Sequence, residues 1–317
     1  MGYDIIGDVH GQADALVRLL RHLGYLQKRG VWKHPDRHAI FVGDLIDRGP
    51  QQRETVNLVR RMVDTGSASV VMGNHEFDAI AWFLPDPATP GDYLRSHFSP
   101  RSGERHRKQH QAFLDEFERS PALHQEVIDW FLTLPLWVEI GGARIIHACW
   151  HPAHIHLLRS KLKSNRLNAD LITTAFGETD RCSKLLNAAQ ILLRGIEAPL
   201  PLPYQFTDDS GHLRKSIQLK WWDTKATSYR AAAIVPEQIR GCLPDIPLPA
   251  DIWTGYSDTT PVFFGHYWAH GTPKPVSRYA ACVDYSAGWG YKLCAYRFDG
   301  EPKLRSDKFC AVEVTKT

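Results

Sequence analysis

No apolar run in the sequence approaches the roughly 20 residues that a membrane-crossing helix requires, so a membrane protein is not expected. The N-terminus lacks a basic stretch followed by an apolar core and a small-residue cleavage site. Instead Tyr3-Asp4-Ile5-Ile6 leads straight into a strand-like run, and no export signal is expected. Cysteine pairs at CxxC spacing are also missing. Cys149, Cys182, Cys242, Cys282, Cys294 and Cys310 are scattered through a chain large enough to fold around its own core, which points to reduced thiols and a cytoplasmic setting. Charge of one sign is scarce too: a net +3 is too little to imply nucleic-acid binding, whose affinity comes from many phosphate contacts. Any basic surface must be local. Internal repeats and low-complexity tracts are absent, which excludes solenoids and disordered linkers.

What remains is the composition of a soluble globular protein, 43% hydrophobic and 23% charged over 317 residues. Strand-like runs alternate with helix-like periodic segments: Tyr3–Ile6 then Asp14–Leu23, Ala39–Val42 then Arg53–Val63, Ser69–Met72 then Glu76–Leu84. This is a βαβαβα opening. In the first helix Leu16, Leu19, Leu20 and Leu23 share a face before a Gly24 stop; in the second, Val56, Val59 and Val63 do so before Gly66.

From about Pro85 to Pro135 a proline-rich loop and polar helices suggest an insert, one helix starting with Ser120 as N-cap and Pro121 as first helical residue. Leu136–Ile140 and Arg144–Ala148, joined by Gly141-Gly142, read as a hairpin with a primed turn. Between His151 and Pro261 the chain is mostly polar, and Pro199, Pro201 and Pro203 rule out a helix or a central strand and mark a loop. Strands return at Pro261–Phe264, Ala280–Val283, Tyr291–Phe298 and Phe309–Val314.

Three segments, each directly after an apolar strand, carry the chemistry: Gly7-Asp8-Val9-His10-Gly11, Gly43-Asp44-Leu45-Ile46-Asp47-Arg48-Gly49 and Gly73-Asn74-His75-Glu76. Carboxyl ends of parallel strands share one edge of an open sheet, so these loops can meet in one crevice. Aspartate, asparagine and histidine offer the oxygen and nitrogen donors suited to Mn, Fe or Zn, in contrast to a thiolate site. Helix capping explains a lone Asp after a strand, but it explains neither Asp47-Arg48 nor Asn74-His75 recurring in the same context.

In this order the segments resemble the GDxHG, GDxxDRG and GNHE motifs of the phosphoprotein-phosphatase type of calcineurin-like metallophosphoesterase. Ile145-Ile146-His147 and Pro152 look like that family's metal-histidine strand, with Ala148-Cys149 in place of the usual glycines; Phe263-Phe264-Gly265-His266 looks like its final Gly-His element. The resemblance implies an α/β fold: a sandwich of two mixed β-sheets flanked by helices, a single domain over 1–317, with a helical insert at 85–135 and a substrate-selecting insert at 151–260.

Residue by residue, it implies that Asp8 and His10 hold one metal, Asp44 bridges, and Asn74, His147 and His266 hold the second. Two divalent or trivalent ions are expected, Mn first, with Fe or Zn as alternatives. Such a pair activates a water for in-line attack on phosphorus. Arg48 and Asn74 would bind the phosphoryl group, and His75, oriented by Asp47, would protonate the leaving oxygen. The family's second arginine has no clear counterpart; Arg230, after Trp221-Trp222-Asp223, is the candidate, and Asp284 at a strand end suits a turn.

His151, His154 and His156 form a set without other ligands at metal-site spacing, which is weak ground for a third site. The basic stretches Arg101–His110 and Arg159–Arg166 read as solvated helix faces before they read as polyanion guides. Trp221-Trp222, Trp253 and Trp268 suit core packing or base stacking. The expected substrate is a phosphomonoester, phosphoprotein or nucleotide; dinucleoside polyphosphates and cyclic or nucleic-acid phosphate ends are alternatives, without support for nucleic acid as a partner. The chain looks similar to bacterial diadenosine tetraphosphatases and to the phosphatase module of polynucleotide kinase-phosphatases. A catalytically inactive metal-binding scaffold is the competing class, against which Asp47, Arg48 and His75 speak.

Overall fold

Successive residues of a strand face opposite sides, so a run that is apolar at every position needs cover on both faces. The computed structural model describes residues 1–177, 181–207, 211, 213–253 and 255–315. In it β1 (Gly2–Ile6), β2 (Arg37–Phe41) and β3 (Ala68–Val70) have that double cover: Ile5 and Ile40 enter a core between two sheets, while Ile6, Phe41 and Val70 face helices. The three strands are parallel neighbours. They are linked by α1 (Ala13–His22) and α2 (Gln52–Asp64) and lead into α3 (Asn74–Phe83).

Leu16, Leu19, Leu20 and Leu23 are all buried, as their spacing requires. In α2 the inward row is Val56, Val59 and Met62, with Val63 only partly buried. One residue turns a helix by about 100°, which is enough to move Val63 off the inner face.

The 85–135 stretch contributes α4 (Gly103–Phe117) and α5 (Pro121–Leu132). Ser120 is the N-cap of α5 and Pro121 stands in its first turn, although the serine side chain makes no capping bond. Then β4 (Trp137–Ile140) and β5 (Ala143–Ile146) pair antiparallel through Gly141 and Gly142, at φ 59° and 78°. Both angles lie where glycine alone is unstrained.

Three helices follow, α6 (Pro152–Lys161), α7 (Ala169–Gly177) and α8 (Arg181–Arg194). The proline cluster is not wholly a loop: Glu197–Pro199 pairs with Ser216–Gln218. Only two strands take part, so Pro199 can stand at an end that needs no further N–H.

Strands β6 (Val262–Phe264), β7 (Ala280–Cys282), β8 (Asp284–Tyr285), β9 (Lys292–Phe298) and β10 (Phe309–Glu313) complete the sheets. One runs β8-β9-β1-β2-β3, with β10 also on β9; the other runs β7-β6-β5-β4. Both mix parallel and antiparallel pairs. Ala280–Val283, expected as one strand, ends at Cys282, and after Val283 the chain enters the opposite sheet as β8. Asp284 sits at that crossing. Cys149, Cys242, Cys282, Cys294 and Cys310 are unpaired thiols; the side chain of Cys182 lies outside the described residues. Among the described residues no helix is long and apolar enough to cross a membrane.

Candidate metal centre

The carboxyl ends of β1, β2, β3, β5 and β6 open onto one edge of the sandwich, and each is followed by a polar residue that turns inward. Backbone bonds knit these turns together. Val9 N and His10 N donate to Asp44 O (3.0 and 2.9 Å), Gly265 N donates to His147 O (2.8 Å), and His266 N donates to Asp8 Oδ2 (3.0 Å). Positive φ at His10, Asp44, Asp47, Arg48 and His266 shows how sharply non-glycine backbone is bent here. Such strain persists only where surrounding contacts over-determine it.

Asp44 is the shared residue. Its Oδ2 lies 3.6 Å from His10 Nε2, 3.4 Å from His147 Nε2 and 3.9 Å from His75 Nε2. Two groups of potential ligand atoms result, His10, Asp44 and His75 in one and Asp44, His147 and His266 in the other, with the atoms of each within 4.8 Å of one another. Asn74 Oδ1 joins the second group, 3.0 Å from His147 Nε2 and 2.8 Å from His266 Nδ1. Asp8 falls in neither three-residue group but adjoins the second, with Oδ2 on His266 N and Oδ1 buried without a partner.

Carbonyl oxygens set the ring orientations. Ile46 O accepts from His10 Nδ1 at 2.7 Å, and Val42 O lies 2.8 Å from His147 Nδ1, which turns each Nε2 toward the crevice.

This donor set fits cations. His10 Nε2 and Asp8 Oδ1 are buried and have no hydrogen-bond partner. Asp8, Asp44, Glu76 and Asp284 are four buried carboxylates in one neighbourhood. Burial, and then the charges of Asp284 and Asp44, push Asp8 well above the carboxylate range. Burial also lowers His10, to about 3, leaving a neutral ring with a free lone pair. Buried charges of one sign are costly unless paired or bound to metal.

Beside these groups stands the Asp47 carboxylate. It receives His75 Nδ1 on Oδ2 (2.5 Å) and His110 Nδ1 on Oδ1 (2.7 Å). Burial raises Asp47, but the two imidazoles outweigh it and hold the group below its usual range. Burial lowers His75, and Asp44 and Asp47 outweigh that, so its imidazolium form is favoured. The guanidinium of Arg48 lies 4.9 Å from the Trp268 ring centroid and 4.5 Å from that of Trp289.

Several contributors escape the motif reading. His110 comes from α4, inside a stretch expected to be a solvated face; its spacing from Phe113 and Phe117 was the available signal. Glu76 is buried and accepts from Asp44 N (2.9 Å), Leu45 N (2.8 Å) and Gly73 N (2.9 Å), tying two motif loops together. Arg194 pairs with Asp78 (2.5 Å), one turn beyond Asn74. Gln218 links it to the centre, donating to Arg194 O (3.1 Å) while lying 3.2 Å from His266 Nε2.

Arg230 is not brought to the crevice. Its Nε and Nη2 donate to Leu243 O, and Nη1 faces Asp245 (3.5 Å). A short surface helix, Tyr229–Ala232, carries it, and nothing in the local sequence distinguishes its role from that of Arg194. His151 caps α6 through His154 N, and His151, His154 and His156 join neither metal group. Trp221 and Trp222 are core residues.

A two-sheet sandwich with a metal-fitting crevice at its strand ends defines the class of molecule. Residues 1–192 match the family described as calcineurin-like phosphoesterase, and the chain belongs to that family. Two relatives are asymmetrical bis(5'-nucleosyl)-tetraphosphatases PrpE. The Halalkalibacterium halodurans protein is 54% identical over 76 residues, 24% of this chain and 31% of the relative; the Oceanobacillus iheyensis one is 34% identical over 125 residues, 38% and 50%. The chain thus spans a third to a half of the curated relatives it matches. A serine/threonine protein phosphatase from Saccharomyces cerevisiae with similarity to human phosphatase PP5 shares the fold, at TM-score 0.52 and 13% identity, over 100% of this chain and 80% of that one.

Proposed function

We propose that the chain hydrolyses phosphate esters or anhydrides of nucleotides, with Asp8 and His10 holding one cation, Asn74, His147 and His266 a second, and Asp44 common to both. The observation that carries this reading is the single Asp44 carboxylate set among imidazoles with Arg48 and the His75–Asp47 pair alongside. Bound cations, Mn by first expectation, would neutralise phosphoryl charge and lower the pKa of a water between them.

The chain's own residues supply the rest. Arg48, desolvated by its tryptophan neighbours, offers a planar fork of donors to phosphoryl oxygens. His75 keeps its proton at Nε2 toward the crevice while Asp47 holds Nδ1, so the leaving oxygen can be protonated as the bond breaks. Arg194 supplies the second arginine in place of Arg230. Nucleotide substrates are favoured by the names of the partial relatives.

The test is hydrolysis of a chromogenic phosphomonoester, diadenosine tetraphosphate, a 2',3'-cyclic nucleotide and a phosphopeptide with added Mn, alongside mass spectrometry of bound metal. His75→Ala should cost about a hundredfold to ten-thousandfold in kcat with metal content unchanged. Absence of turnover on all four substrates by the parent protein would favour the scaffold reading.

A further inference from the structure

Seven of the ten tryptophans are buried, Trp253 is half-buried, and the two that are exposed, Trp268 and Trp289, both stand on Arg48. Their rings meet edge to face, centroids 5.7 Å apart and planes at 83°, with the guanidinium in the angle between them. Each indole turns one side to Arg48 and leaves the remainder open: Trp268 is 43% and Trp289 52% exposed. Tyr291, 55% exposed, extends the aromatic rim with His270 edge-on at 5.2 Å.

The position of both rings is built, not incidental. Trp268 sits at φ 46°, a strained angle for a bulky residue. Asp284 holds its loop by accepting from Trp268 N (2.8 Å) and holds the loop of Trp289 by accepting from Ser286 N (2.8 Å). Gly288 lets the second loop lie on the centre, since a Cβ there would stand 2.6 Å from Arg48 Cδ and 2.7 Å from His10 Cδ2. A single buried carboxylate thus fixes two exposed indoles at the rim of the crevice. Securing Arg48 alone would not require their outer surfaces to face water.

We propose that Trp268 and Trp289 form a subsite that stacks the nucleobase of a substrate whose phosphoryl group lies at Arg48. A nucleotide joins a planar π surface to an anion through a ribose, which matches indole faces flanking a guanidinium; an aliphatic phosphate offers the rings nothing. The proposal rests on the phosphoesterase reading above and adds to it the group that selects the substrate.

The test measures binding of adenosine 5'-monophosphate and ribose 5-phosphate to the full Mn-loaded chain by calorimetry, with turnover suppressed by His75→Ala. The parent background should prefer the adenosine compound by about tenfold or more, within the range of base–aromatic stacking, and Trp289→Ala or Trp268→Ala should erase that preference by weakening the adenosine compound more than ribose 5-phosphate. Trp289→Phe should keep most of it, which separates stacking from loss of fold. Equal weakening of both ligands in the alanine variants would mean that the indoles only position Arg48, and it would overturn the subsite while leaving the phosphate reading intact. Equal affinity for the two ligands in the parent background would overturn it as well. Failure of either ligand to bind, with no hydrolysis by the unsubstituted protein, would remove both readings together.

Discussion

The contrast between Arg194 and Arg230 shows how much a single residue's partners decide. Both are arginines between the last two candidate metal histidines, but Arg194 is paired with buried Asp78 beside the centre, whereas Arg230 is tied to Leu243 O and Asp245. A charged hydrogen bond is worth about 1.5–3 kcal/mol, so Arg194→Ala should raise KM for a phosphate ester by about tenfold to a hundredfold. Steady-state kinetics on Arg230→Ala should be unchanged. The reverse pattern would restore Arg230 as the phosphate ligand. His110 teaches the same lesson: its spacing from Phe113 and Phe117 marks a buried face, but its partner cannot be read locally, because Asp47 stands 63 positions away.

Among elements, α3 is the one on which the centre hangs. Its first turn supplies Asn74 and His75, and Glu76 reaches back to three backbone N–H groups of two loops. Each buried donor left unsatisfied costs about 1–3 kcal/mol, so Glu76→Ala should destabilise the protein by roughly 3 kcal/mol or more in urea unfolding, with Glu76→Gln milder. A loss below about 1 kcal/mol would mean that water replaces the carboxylate.

Helix α5 backs this element and brings a pH dependence of its own. His124 of α5 is buried edge-on to Phe83 (4.8 Å) and Phe113 (5.5 Å), and burial, then the charge of His110, pushes it down to about 4. Below its ordinary value of 6.5 the unfolded chain takes up a proton that the fold refuses, so His124 costs stability as pH falls from about 6.5 toward 4. The melting temperature should drop through that window, and His124→Leu should flatten the drop. Parallel curves for parent and variant would place the acid sensitivity elsewhere.

For the whole molecule, the two sheets meet at a shared edge where four buried carboxylates and a set of imidazoles offer ligand atoms to cations. Chelation should therefore lower the melting temperature, and added Mn should restore it in a concentration-dependent way, since a ligand of the native state stabilises by RT ln(1 + [L]/Kd). The Asp44→Asn variant should melt at a temperature insensitive to Mn. A melting temperature in the parent protein unmoved by chelator would argue against occupied metal groups at this edge.

Strand and helix order, the glycine hairpin and the three motif loops were legible in the sequence, because alternation, helical periodicity and turn chemistry act over a few neighbouring residues. The swing of the chain from β7 to β8, the reach of His110 and Glu76, the pairing of Arg194 with Asp78 and the two exposed indoles over Arg48 were not. These depend on contacts between residues far apart in the chain, which exist only once both sheets have closed on their common core. The sequence by itself determined which donor atoms the protein carries and which strand ends present them; packing of the sandwich decided which of them meet.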